Sequence, residues 1–151
     1  SILAIAEPIV SGRADIVIPS RIVQGYASYP QLQADSEIAA NQVYAEVTGR
    51  EMDVMFGPVA FSKEVVSTFI ECHPRKRFGA HDTYIQHIAP LEAMAHGRKV
   101  VPVPISFFYP PVQRVEEEGA LSEAIRVKRE RQFAECTDAF RKAAAALKLK
   151  S

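Results

Sequence analysis

The chain has 151 residues, 48% hydrophobic and 24% charged with no Trp, which suits one globular domain able to bury its own core. Lys plus Arg and Asp plus Glu balance at 18 each, so no whole-molecule field draws the chain to nucleic acid or an anionic membrane. No apolar run nears the ~18 residues of a membrane span, and the opening SILAIAEPIV has neither the basic start nor the cleavage site of a signal peptide.

In chain order, Ile2, Ile5 and Ile9 with Ala4 and Ala6 predict a short helix ending near Ser11-Gly12. ADIVIP is a short apolar run bounded by turn residues, as expected of a strand covered on both faces. SRIVQGYASYPQLQ, with Gly25 and Pro30 among small polar residues, reads as a loop. From Asp35 or Ser36 an amphipathic helix is expected, with Ile38, Val43, Tyr44 and Val47 inward and Gly49 past its end. DVMFGPVAF reads as a second strand broken at Gly57-Pro58. SKEVVSTFIECH reads as a helix capped by Ser62, with Val65, Val66, Phe69 and Ile70 inward.

FGAHDTYIQH opens the next helix, whose stripe is Tyr84, Ile88, Leu91 and Ala95, and Pro90 inside it predicts a bend near Gln86. HGRKVVPVPISFF supplies a capping Gly97 and a third strand, and YPPVQ reads as polyproline-like chain. The remainder, 116–150, reads as one long helix with Leu121, Ile125, Phe133, Cys136, Phe140 and Leu147 as its stripe. Its RVKRERQ segment alternates charge at helical spacing and reads as a solvated face rather than a nucleic-acid stripe.

This order predicts an α/β fold: an open, Rossmann-like sheet of at least three strands over 1–115, with 116–151 as a helical extension of the same domain. Three strands are few for this length, so the sheet is expected to be completed by another chain or to be part of a larger one. Cys72 and Cys136 match neither a zinc spacing nor a redox motif, read as free buried thiols, and point to a cytoplasmic protein.

Several side chains are candidates for chemistry. Asp82 reads as a helix cap, its carboxylate accepting from first-turn amides. His81 could ligate a metal or bind a carboxylate, but a half-exposed turn position is the plainer reading. His87 is six residues from His81, not the helical spacing of a bidentate site, and His73 and His96 sit beside helix ends, so the four histidines form no metal cluster. Arg21, past a strand's carboxyl end, stands where open α/β sheets place ligands; it could hold phosphate or equally form a surface ion pair. Gly57 permits a close substrate approach, or only a bend.

ADIVIPSR, SEIAANQVYAEVTG, MFGPVAFSKEVV and GAHDTYIQHIAPLEAMAHGRKVVPVPI, in that order, resemble the second half of a GT-A glycosyltransferase of the family-2 type. The tail YPPVQRVEEEG…KRERQF is similar to the C-terminal extension of some sugar transferases. The resemblance implies glycosyl transfer from a nucleotide-sugar donor to an acceptor hydroxyl. It makes Asp82 the general base and Ser20, Arg21, Gly57, Pro58 and His81 substrate-facing residues. It also implies a divalent metal, Mg²⁺ or Mn²⁺, held in the complete enzyme by an Asp-x-Asp motif of the first half. This sequence has no Asp-x-Asp, and its nearest approach, Glu51-Met52-Asp53, reads as a solvated turn. The chain is thus expected to be the acceptor-side half, paired with a missing N-terminal half or with a second copy of itself. The other expectation is a non-catalytic module that dimerises through its sheet edge and C-terminal helix.

Overall fold

The computed structural model describes residues 2–119 and 123–149. It is a mixed α/β structure of helices around one small sheet. Helix α1 (Ile2–Val10) leads into strand β1 (Ile16–Arg21), a short α2 (Val23–Ala27) and the long α3 (Gln31–Thr48). A 3₁₀ turn (Val54–Phe56), strand β2 (Ala60–Phe61), a second 3₁₀ turn (Lys63–Val65), α4 (Val66–Glu71) and α5 (Pro74–Phe78) follow. A third 3₁₀ turn (Asp82–Tyr84) opens α6 (Ile85–Ala95), then come β3 (Val100–Ile105), α7 (Pro111–Gly119) and α8 (Glu123–Ala146). Among the described residues no helix is long and apolar enough to cross a membrane.

The sheet has three strands in the order β2-β1-β3, with β3 parallel and β2 antiparallel to the central β1. Ile16, Val17 and Ile18 are at most 1% exposed, as a continuously apolar central strand requires. Both flanks of the sheet can be accounted for group by group. The carbonyls of Lys99 and Ile105 accept from Ile16 and Ile22, so odd-numbered residues of β3 face β1 and even-numbered ones face outward. The outward Val100 carbonyl accepts from Arg50 Nη1 at 3.0 Å, and Pro102 and Pro104 have no N–H to offer. Strand β3 is therefore blunted against a further strand. On the other flank β2 covers only the start of β1; beyond it Pro19 has no N–H, and the Arg21 N–H donates to the Asp53 carboxylate at 3.1 Å. The described residues leave the β2 side as the place where the sheet has room to grow.

The core lies where α3, α6 and α8 meet the sheet: Ile16, Ile18, Tyr44, Val65, Ile88, Leu91 and Phe140 are buried together. Tyr44 meets Phe140 edge-to-face at 5.0 Å, and its hydroxyl donates to the His87 carbonyl at 3.1 Å, which satisfies the one polar atom this ring takes inside. Cys72 and Cys136 are free and buried.

Several local expectations change. The segment read as a loop after ADIVIP contains the end of β1, α2 and the first turn of α3. Pro30 stands immediately before α3, where a preset φ and a missing N–H cost the helix nothing, so it starts at Gln31 and not at Asp35. Gly49, in the left-handed region at φ 67, ends it as expected. The second strand shrinks to two residues because Val54–Phe56 coils into a 3₁₀ turn and Gly57 takes φ 100. In the following helix Val65 is buried but Val66 and Ile70 face outward. At the C-terminal end helix is described over α7 and α8, with 120–122 outside the described residues; Pro111 suits a first helical turn, so helix begins there in place of the expected polyproline-like chain. The predicted Leu121 lies outside the described residues. Helix α8 contributes Cys136, Ala139, Phe140 and Ala143 to the main core.

Candidate functional site at the carboxyl end of β1

Strand β1 ends on Arg21, and the fold buries this cation: its side chain is 1% exposed. A buried guanidinium must be paired and hydrogen-bonded. Asp53 does this in a fork, with Arg21 Nε donating to Oδ2 at 2.6 Å and Nη2 to Oδ1 at 2.9 Å. Glu37, nearly two turns into α3 on its buried face, places Oε2 2.7 Å from Arg21 Nη2. Rings of Tyr26, Tyr29 and Phe56 lie over the guanidinium at 4.4, 4.5 and 5.3 Å, so its faces meet π-systems while its edge meets carboxylates.

The polar shell continues outward. Asn41 Nδ2 donates to Asp53 Oδ1 and to the Tyr26 hydroxyl, both at 2.9 Å, and its Oδ1 accepts from the Met55 N–H at 3.2 Å. Ser20 Oγ accepts from the Asp53 N–H at 3.1 Å, tying the strand end to the turn that carries the carboxylate. Burial alone would raise the Asp53 carboxyl, but the Arg21 hydrogen bonds and charge, with Tyr26 and Asn41, outweigh it and hold the group below its usual range. Burial likewise disfavours charge on Arg21, and Asp53 with Glu37 reverses this, so the guanidinium stays charged. Tyr26 is pushed up by burial and by Asp53, so it stays a neutral phenol.

A cleft of about 350 Å³ opens beside this network, with Ser20, Arg21, Tyr26, Asn41, Gln42 and Glu51 among its lining. Ile38, Ala45 and Met52 give it a largely apolar lining, and it is of a size that takes a small ligand. Its one buried cation is already matched by two carboxylates, and Ser20, Tyr26 and Asn41 are bonded within the network. Gln42 and Glu51 are the polar lining side chains with no hydrogen bond among the described residues, an amide and a carboxylate of the kind that bind hydroxyls.

The sequence candidates separate in space. Ser20 and Arg21 sit together at the cleft. The reading of Arg21 as a surface residue is overturned: its ion pairs are buried, and its fork is occupied by Asp53. The reading of Glu51-Met52-Asp53 as a solvated turn is overturned for its last two members, since Met52 is 6% and Asp53 4% exposed. Gly57 and Pro58 do not line the cleft; a Cβ on Gly57 would stand 3.3 Å from Gln86 Nε2, so this glycine gives room to α6. His81, not Asp82, is the cap of the third 3₁₀ turn, its Nδ1 accepting from the Thr83 N–H at 3.3 Å. Asp82 is exposed, accepts from the Arg75 N–H at 3.2 Å and pairs with Arg75 Nε at 3.4 Å. It lies outside the cleft's lining.

Asp53, Glu37, Asn41 and Tyr26 escaped the sequence reading. A signal existed: Glu37, Asn41 and Tyr44 recur at helical spacing on one face of α3, and an acidic residue on a buried stripe asks for a buried cation.

The divalent metal implied by the resemblance does not fit the residues present. Among the described residues no three or more His, Cys, Asp or Glu converge. Asp53 and Glu37, the carboxylates of the site, spend their oxygens on Arg21, Asn41 and Gln33. No protein-family model, curated protein or solved structure matches the chain.

Proposed function

We propose that this chain is the acceptor-side part of a nucleotide-sugar-dependent glycosyltransferase, and that the cleft at the end of β1 seats a hydroxyl-rich sugar unit of one of its substrates. The observation that carries the reading is the Arg21–Asp53–Glu37 network. A costly buried ion cluster is kept at the carboxyl end of the central strand, the place where open α/β sheets put ligands, and it fixes the wall of a ligand-sized cleft. Asn41 and Ser20 are held by that network, so their geometry exists before a ligand arrives and little ordering is left to the binding step. Tyr26, one face of its ring against Arg21, also lines the cleft.

The resemblance gives the base role to Asp82, which lies outside the cleft's lining, so in this reading it serves an acceptor hydroxyl presented from solvent beyond the cleft; its carboxylate is exposed, and Arg75 is its ion-pair partner. The alternative, a non-catalytic module, draws on the exposed Phe61, Val66 and Ile70 beside the short strand β2, but β3 is closed to pairing by its prolines. Calorimetry with GDP- and UDP-sugars, with and without Mg²⁺ or Mn²⁺, separates the two readings. Saturable heat from a nucleotide-sugar or its free sugar, abolished by Asn41→Ala, supports the transferase. Silence across the panel, from a chain folded by circular dichroism, favours the module.

A further inference from the structure

On the far side of Glu37 from the β1 cleft, helix α8 faces α3 and the turn before α6 across two cavities. One, of about 200 Å³, is lined by His87, Gln86, Glu37 and Arg129 among others. The next, of about 290 Å³, is lined by His81, Lys128 and Arg131 among others. Tyr84 and Gln132 line both, so the two form a continuous groove.

The charges on α8 single this groove out. Arg126 pairs with Glu123 and Glu130, Arg131 with Glu135, and Lys142 with Asp138, each within one helical turn. Lys128 and Arg129, the two consecutive cations that border the groove, have no carboxylate within ion-pair distance among the described residues. Arg129 makes one hydrogen bond, from Nη2 to Gln33 Oε1 at 3.0 Å, and the rest of its fork is unused. Two carboxylates also line the groove: Glu135 is paired with Arg131 at 2.7 Å, and Glu37 is held by Arg21 at 2.7 Å and by Gln33 Nε2 at 2.8 Å, its Oε2 buried without an aligned hydrogen bond. At the back stands His87, 4% exposed, its Nδ1 buried without an aligned hydrogen-bond partner. A buried polar atom left unmatched costs stability unless a ligand or water answers it. Two unpaired cations, a waiting imidazole and two free side-chain amides together describe a receptor for negative charge.

We infer that this groove binds a small oxyanion, a carboxylate or phosphate group, with Arg129 and Lys128 supplying charge and His87, Gln86 and Gln132 supplying hydrogen bonds. The site is separate from the β1 cleft and does not depend on the transfer reading.

The test is titration of the full chain with inorganic phosphate and, separately, acetate at constant ionic strength, followed by calorimetry and by amide shifts. Saturation with a Kd of about 1 mM or tighter is expected for at least one anion, with shifts centred on His87, Arg129 and Gln132. The anion that saturates identifies which oxyanion the groove prefers. Arg129→Met weakens binding by about tenfold or more, as the loss of a charge-assisted contact requires. Arg126→Met, the same charge change on the same helix, leaves it within about twofold. If Arg129→Met fails to fold, the exposed Lys128→Met carries the test. No saturation by either anion at about 10 mM, or equal weakening by Arg126→Met, overturns the proposal.

Discussion

Replacing Asp53 with Ala removes at once the Arg21 fork at 2.6 and 2.9 Å, the cap on the Arg21 N–H at 3.1 Å and the Asn41 bond at 2.9 Å. The Arg21 side chain is 1% exposed, so water offers it little compensation. Removing one partner of a buried pair costs about 3–5 kcal/mol, because an uncompensated charge is left inside. Glu37, 2.7 Å from Arg21 Nη2, keeps part of the compensation, which sets the expected loss near the lower end, about 3 kcal/mol. Against a total stability of about 5–15 kcal/mol that is a severe change. With a urea slope of about 1–3 kcal/mol/M, the unfolding midpoint drops by about 1–3 M. The double variant Arg21→Met with Asp53→Leu removes both charges, and its cost is expected to be clearly less than the sum of the singles. An Asp53→Ala unfolding free energy within about 1 kcal/mol of wild type, or additive singles, would refute the buried-pair reasoning.

Protonation gives a second test. Burial lowers the His87 pKa to about 4, against an unfolded value near 6.5, so the folded state holds the neutral ring. The sign follows: the unfolded chain takes up this proton first, stability is complete above ~6.5 and falls as pH drops toward 4, by about 3 kcal/mol in all. Urea melts across that window check it, and His87→Gln flattens the slope. Asp53 acts lower down: its depressed pKa contributes stability that is full above the unfolded value of ~3.9 and lost as pH falls through the folded one. Gly25→Ala brings a Cβ 2.7 Å from the Phe107 carbonyl oxygen, a backbone atom that cannot swing aside, and a loss of about 1–3 kcal/mol in thermal melts is expected. Asp82→Asn breaks only an exposed pair with Arg75, so stability should move by less than about 1 kcal/mol and ligand shifts at the β1 cleft should persist.

The parts of the fold legible in the sequence were those written in periodicity. ADIVIP, VVPVPI and most of the α3 and α6 stripes announce themselves through runs of apolar residues whose neighbours are local, although Ile38 and Ala95, expected inward, are exposed. The misread parts depended on partners distant in the chain. Asp53 looks like a turn residue until β1 brings Arg21, 32 positions earlier, against it. Gly25 looks like a loop glycine until Phe107 is packed onto it. Val54–Phe56 has strand composition, but Met55 gives its N–H to Asn41 and Asp53 turns back toward Arg21, so the segment coils. In the candidate site, Ser20 and Arg21 were legible because strand ends are; their carboxylate partners were not, because the residues that satisfy a buried charge carry no pattern of their own.

The most direct test of the central claim is a ¹⁵N-resolved titration of the chain with GDP- and UDP-sugars and with their free sugars. The account predicts saturable shifts at Ser20, Tyr26, Asn41, Gln42 and Glu51, all lost in Asn41→Ala. Shifts elsewhere with these amides unmoved, or no shifts at all from a folded chain, would contradict it.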